Sequence, residues 1–227
     1  MAVGYPIILD LRGWLCVVVG GGEVAARKVA SLLATGALVR VVSPALVAPL
    51  AADAATGRID HYPHSFTPTD LAGARLVIAA TGNRRVNAAV AAAAQAQAAL
   101  VNVVDAPEEG NFWVPAVVRR GELTLMVSTG TASPALARRL RRQLEASFGP
   151  EWGAYAMLLG ALRPLVLARE PDSDRRRSLF RDLATSTEMP ARLAGGDVEG
   201  VVALLQAAGV PGTAEELAAS VHEALGT

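Results

Sequence analysis

The chain is poor in cysteine, lysine, histidine and aromatic residues. Cys16 is its one cysteine, which excludes an intrachain disulfide. Its place in an apolar run points to a reducing compartment. The three histidines, His61, His64 and His222, do not fall at metal-ligand spacing, and a lone cysteine cannot complete a site, so no tightly held metal is expected. Aromatic residues are 4% of the chain while hydrophobic ones are 52%, so the core has to be built from Val, Leu and Ala. Charge of neither sign predominates, with 21 basic residues against 21 acidic, which argues against nucleic acid as a partner. The run of ~20 uninterrupted apolar residues that a membrane span needs is missing, and the first residues lack the basic-then-apolar pattern of a leader. The expectation is a cytoplasmic protein with no membrane or nucleic-acid partner.

The most informative feature present is Val17-Val18-Val19-Gly20-Gly21-Gly22-Glu23-Val24-Ala25. An apolar strand runs directly into Gly20-x-Gly22-x-x-Ala25 and then into a helical pattern carried by Ala26, Val29, Ala30, Leu32 and Leu33. This is the dinucleotide-binding fingerprint in the context it requires. Gly20 makes the tight turn, Gly22 admits a pyrophosphate against bare backbone, and Ala25 lets the helix pack close to the strand. The helix start then offers unpaired N–H groups to phosphate.

The first half of the chain alternates between periods. Strands are expected over residues 15–19, 39–42, 76–80 and 101–104, with Gly36 closing the first helix and an alanine-rich helix over about 85–99. Such alternation implies a Rossmann-type parallel sheet, whose ligands bind outside the carboxyl ends of the strands. Those ends are Gly20 to Gly22, Ser43-Pro44, Ala80-Thr81-Gly82 and Asn102 to Asp105. Thr81 and Asn102 read equally well as turn or cap chemistry.

After Asp105 the pattern changes. Strand-like runs over 114–118 and 123–127 flank Arg119-Arg120-Gly121-Glu122 and suggest a β-hairpin. The hydroxyl-rich stretch Ser128-Thr129-Gly130-Thr131-Ala132-Ser133-Pro134 follows. It delivers Pro134 to the first turn of a helix with Ser133 as N-cap. Leu136, Leu140 and Leu144 form an apolar stripe on that helix, and Arg138, Arg139, Arg141 and Arg142 cover the rest, with Glu145 as an available partner. From Trp152 the pattern is helical, with breaks at Pro171, at 190–196 and at 209–212. The expected division is a nucleotide-binding domain over 1–112, a dimerisation segment over 113–147, and a small all-helical domain over 148–227. The leucine stripe, with little chain left to cover it, suggests a homodimer.

Several segments in order resemble one family: Pro6-Ile7, Leu11-Arg12, Val18 through Lys28, Ala79-Ala80-Thr81, Val86-Asn87, Val101 through Asp105, Asn111-Phe112, Pro115-Ala116, Ser128-Thr129-Gly130 and Ser133 through Arg138. Together they look like precorrin-2 dehydrogenase, the first module of bacterial siroheme synthase, and they cover roughly residues 5–146. The resemblance implies NAD-dependent oxidation of the tetrapyrrole precorrin-2 to sirohydrochlorin. In some members of the family the same site also acts as a chelatase, inserting iron or cobalt.

Candidate roles follow from both readings. Gly20, Gly22, Glu23 and Val24, with Ser43, Pro44, Ala80 and Thr81, are the cofactor-binding candidates. Asp105, at a strand's carboxyl end, is the candidate for proton handling, and the resemblance points to the same residue; an aspartate before Pro107 is also an ordinary turn starter. Asn102, Ser128, Thr129, Arg119 and Arg138 are the substrate candidates, with Arg120 and Arg139 beside them, because a guanidinium fork suits a substrate bearing eight carboxylates. Two departures stand out. Ser43-Pro44 occupies the place of the acidic residue that favours NAD over NADP, and the family's Thr-Asp-Asp is here Thr81-Gly82-Asn83. A nucleotide-sensing domain and a chelatase without redox turnover are the alternative readings.

Overall fold

The computed structural model describes residues 4–226; the expected domain limits at 1 and 227, and the leader reading of the first three residues, lie outside them. The chain forms two compact units, one ending at Val114 and the other beginning at Pro115.

The first unit holds β1 (Leu15–Val19), α1 (Glu23–Leu33), β2 (Leu38–Val42), α2 (Ala48–Ala55), β3 (Asp60–Tyr62), β4 (Leu76–Ala79), α3 (Arg84–Ala96) and β5 (Leu100–Val103). The strands make one parallel sheet in the order β3-β2-β1-β4-β5, the Rossmann arrangement. The four expected strands lie within one residue of their expected places. Alternating residues divide between two covered faces. Val17, Val19, Val77, Ala79, Val101 and Val103 pack with Val90, Ala91 and Ala94 of α3. Cys16, Val18, Val39, Val41 and Ile78 pack with Ala25, Val29 and Leu32 of α1 and Leu50 of α2. A sheet covered on both faces explains why its longer strands read as mostly apolar runs. Ala25 is fully buried, as its role in close helix packing requires.

β3 and α2 were not expected. β3 has three residues, too few to show a period. It is held by its ladder to β2, by an ion pair from Arg40 to Asp60 at 3.2 Å, and by Arg40 stacked 4.5 Å over the Tyr62 ring. The alanine-rich helix ends at Ala96, earlier than the expected 99. Ala98 there takes a left-handed conformation, φ +55, and the N–H of Ala99 returns to the Ala94 carbonyl. The outer edge of β5 is covered by its own following loop: the Asn111 side chain accepts from the Val101 N–H at 2.8 Å and donates to the Ala99 carbonyl at 3.1 Å.

The second unit holds the antiparallel hairpin β6 (Ala116–Arg120) and β7 (Leu123–Val127), then α4 (Pro134–Ser147), α5 (Pro150–Arg169), α6 (Ser173–Ala184), α7 (Met189–Ala194), α8 (Val198–Ala207) and α9 (Ala214–Leu225). The hairpin's first strand starts two residues later than expected, because Pro115 has no N–H to give to a ladder. The expected break at 190–196 falls only at Gly195 and Gly196; residues before it form the short helix α7, which carries Pro190 in its first turn, where proline is tolerated. Leu158, Leu162 and Val166 on one face of α5 have no exposed surface, and they pack among Met189, Leu193, Leu205, Leu217 and Val221. Each buried leucine contributes roughly 2 kcal/mol. The Tyr155 hydroxyl donates to the Leu183 carbonyl. Arg169 pairs with Glu216 at 2.6 Å, tying α5 to α9. No helix among the described residues is long and apolar enough to cross a membrane.

Candidate active site

The carboxyl ends of β1, β2 and β4 open into a cleft of about 320 Å³, within the usual range for ligand sites. Gly20, Gly22, Ser43, Pro44, Ala80 and Thr81 all line it, so six of the eight cofactor candidates converge. Gly20 has φ +125, and a Cβ there would lie 2.4 Å from the Ala80 carbonyl oxygen. Gly22 is different. It is exposed, its φ of −91 suits any residue, and a Cβ on it would meet no atom within 4 Å, so its small size keeps space open in the cleft rather than relieving strain.

Gly22 is also the N-cap of α1, and no side chain caps that helix. The first N–H groups of the helix, starting at Glu23 and Val24, therefore retain hydrogen-bonding capacity and the positive end of the helix dipole. Neither residue lines the cleft. Ser65 and Phe66, after β3, complete the wall. Neither follows a strand with a readable period, since β3 has only three residues.

The Ser43 hydroxyl donates to the Ala45 carbonyl at 2.8 Å, which fixes the turn after β2. Thr81 donates through its hydroxyl to Asn87 Oδ1 at 2.7 Å. Asp105 is exposed beyond the end of β5 and accepts a hydrogen bond from Asn87 Nδ2 at 2.8 Å. Asn87, not among the candidate site residues, joins the two strand ends. A buried polar residue early in an otherwise alanine-rich helix is the signal that could have singled it out. Asn102, a substrate candidate, is 6% exposed and its amide donates to the Phe112 carbonyl. That placement gives it a part in the loop covering β5.

In the second unit, Arg119 and Arg138 are exposed. Arg120 is turned inward and donates to the carbonyls of Phe148 at 2.9 Å and Glu145 at 3.2 Å, satisfying the end of α4 with a cation. Its guanidinium is thus committed to helix backbone. Arg141 pairs with Glu145 at 3.1 Å. Ser128 accepts from the Gly130 N–H, Thr129 accepts from the Ser133 N–H, and Ser133 caps α4 through the Leu136 N–H. Thr131 in the same loop holds φ +74, a region a β-branched residue rarely enters.

Among the described residues no three His, Cys, Asp or Glu side chains gather as metal ligands. Burial pushes the Cys16 thiol up to about 11, so at neutral pH it is not a nucleophile.

This combination of a parallel sheet, a glycine turn and an uncapped helix N-terminus defines a dinucleotide-binding Rossmann-type protein. A family described as putative NAD(P)-binding matches residues 7–116, and one described as sirohaem biosynthesis protein central matches residues 120–147. A siroheme synthase of Chromobacterium violaceum is 38% identical over 94% of this chain and 48% of its own length. One of Methylobacillus flagellatus is 46% identical over 78% of this chain and 38% of its own. The chain thus spans about half or less of the curated relatives it matches. A solved structure of SirC, precorrin-2 dehydrogenase, superposes with a TM-score of 0.74 at 28% identity, covering 83% of this chain and 92% of that one. By these likenesses residues 7–116 match a putative NAD(P)-binding family, and the chain is similar to part of the siroheme synthases and to a precorrin-2 dehydrogenase.

Proposed function

We propose that this chain oxidises precorrin-2 to sirohydrochlorin with NAD as the oxidant. The observation that carries the reading is the glycine cleft with an uncapped α1 N-terminus, joined through Thr81 and Asn87 to the carboxylate of Asp105. Bound NAD supplies a two-electron acceptor that takes a hydride from the macrocycle. Gly22 and the first turn of α1 hold the pyrophosphate, and the walls from β2 and β4 orient the dinucleotide. Asp105 takes the proton that the oxidation releases and passes it to solvent, while a bound NAD would accept the C–H electron pair. Ser128, Thr129, Arg119 and Arg138 are the proposed substrate contacts in the second unit.

The same reading places the protein in the cytoplasm as a homodimer, with residues 113–147 as the dimerisation segment. Leu136, Leu140 and Met126 are 45%, 36% and 41% exposed, and a second copy would bury them. Light scattering at micromolar concentration tests the dimer, and a monomer mass overturns it. For the activity, anaerobic incubation with precorrin-2 and NAD is followed by absorbance. Stoichiometric reduced cofactor and oxidised macrocycle are expected. NAD binding without turnover would instead indicate a nucleotide-sensing domain, and metal insertion without cofactor reduction a chelatase.

A further inference from the structure

Asn87 is 1% exposed and makes four hydrogen bonds. Its Oδ1 accepts from the Thr81 N–H at 3.1 Å and the Thr81 hydroxyl at 2.7 Å. Its Nδ2 donates to the Thr81 carbonyl at 3.1 Å and to Asp105 Oδ1 at 2.8 Å. A backbone N–H can only donate and a backbone carbonyl can only accept, so the amide has one orientation and its N–H must face the carboxylate. Asp105 Oδ2 has no hydrogen bond or ion pair among the described residues.

We propose that Asn87 is a positioning residue for Asp105. It pins one carboxylate oxygen, leaves the other turned to accept the proton, and ties that oxygen's position to Thr81 in the wall of the nucleotide cleft. The proton acceptor and the wall of the nucleotide cleft are thereby held in one fixed geometry by a single buried side chain. The residue type follows from the task. Two donors on one side, and a carbonyl with a carboxylate on the other, require an acceptor and a donor on one short planar group, which a primary amide provides. This inference rests on the proposed oxidation of precorrin-2.

The informative variant is Asn87→Asp. It keeps an acceptor for both Thr81 donors but sets a carboxylate against Asp105. Expected are an NAD dissociation constant within about threefold of wild type and a precorrin-2 KM similarly unchanged, with kcat lower by about 10²-fold, the cost of an ~1 Å misplacement of a reacting group. The double variant Asn87→Asp with Asp105→Asn restores a donor-to-acceptor contact at the same place. It should recover part of the thermal stability lost in the single variant, the Thr81 carbonyl still facing an acceptor, without recovering turnover. An active wild type with unchanged kcat in Asn87→Asp overturns the positioning role alone, as does a loss of kcat matched by an equal loss of NAD affinity. A wild type that yields no reduced cofactor overturns the functional reading itself.

Discussion

The carbonyl oxygen of Ala45 occupies the place where a side chain on Gly21 would begin: a Cβ there would sit 1.9 Å from it. The two segments are also joined by a hydrogen bond from the Val47 N–H to the Gly21 carbonyl at 2.8 Å. Gly21→Ala must therefore push the glycine turn away from the end of β2. We expect it to destabilise the fold by about 1–3 kcal/mol, as overpacked sites do, and to weaken NAD binding. A melting temperature equal to wild type would show that the turn yields freely.

Gly22→Asp should separate binding from folding. The space beside Gly22 is open and its backbone suits any residue, so the fold should tolerate aspartate. Its bulk and charge would occupy the pyrophosphate position. Calorimetric titration should then detect no NAD binding while the thermal midpoint holds. Wild-type affinity in this variant would remove the loop from the cofactor site.

Asp105→Asn keeps the shape and loses the ability to take a proton. If the carboxylate acts as general base, precorrin-2 oxidation should slow by about 10²–10⁴-fold, with NAD affinity and stability little changed because the side chain is exposed. A near-normal rate would leave Asp105 as a turn residue and send the proton directly to water.

Glu216 gives the second unit a defined acid sensitivity. The Arg169 guanidinium, helped by the Thr213 N–H, lowers its carboxyl from 4.5 to about 2. A carboxylate held lower in the folded state than in the unfolded one adds stability that is complete above the unfolded value and is lost as pH falls toward the folded one. Stability of the α5–α9 contact should therefore decline between about pH 4.5 and 2, and Glu216→Gln should flatten that decline. Urea midpoints followed by circular dichroism across this range check it; parallel slopes for variant and wild type would be the contrary result.

Ala98→Gly should raise stability by up to about 1 kcal/mol, because alanine is held at φ +55, where glycine carries no Cβ penalty. A lower melting temperature would contradict this. The same residue explains why the end of α3 was not legible. A run of alanines continues past the helix without the glycine or proline that usually marks a C-terminus, so the sequence read on to residue 99. The parallel sheet was readable because its longer strands are apolar runs interrupted only at Arg40 and Asn102, and the cleft because glycine, serine and threonine mark the strand ends. β3 was hidden because three residues, Asp60, His61 and Tyr62, owe their strand to a ladder and to Arg40 rather than to any period of their own. Asn102 and Arg120 look like ligand contacts in a linear sequence; their commitment to backbone carbonyls depends on distant segments that only the folded chain brings close.

The Asn111 side chain, by standing in for a strand beside Val101, makes the sheet finite on that flank. Sheets with bare flanks recruit strands from other molecules. The other flank ends in the three short, polar residues of β3, a poor template for intermolecular zippering. Loss of the Asn111 amide should therefore appear first as a change in colloidal behaviour, with refolded protein clumping at concentrations where the native chain stays dispersed.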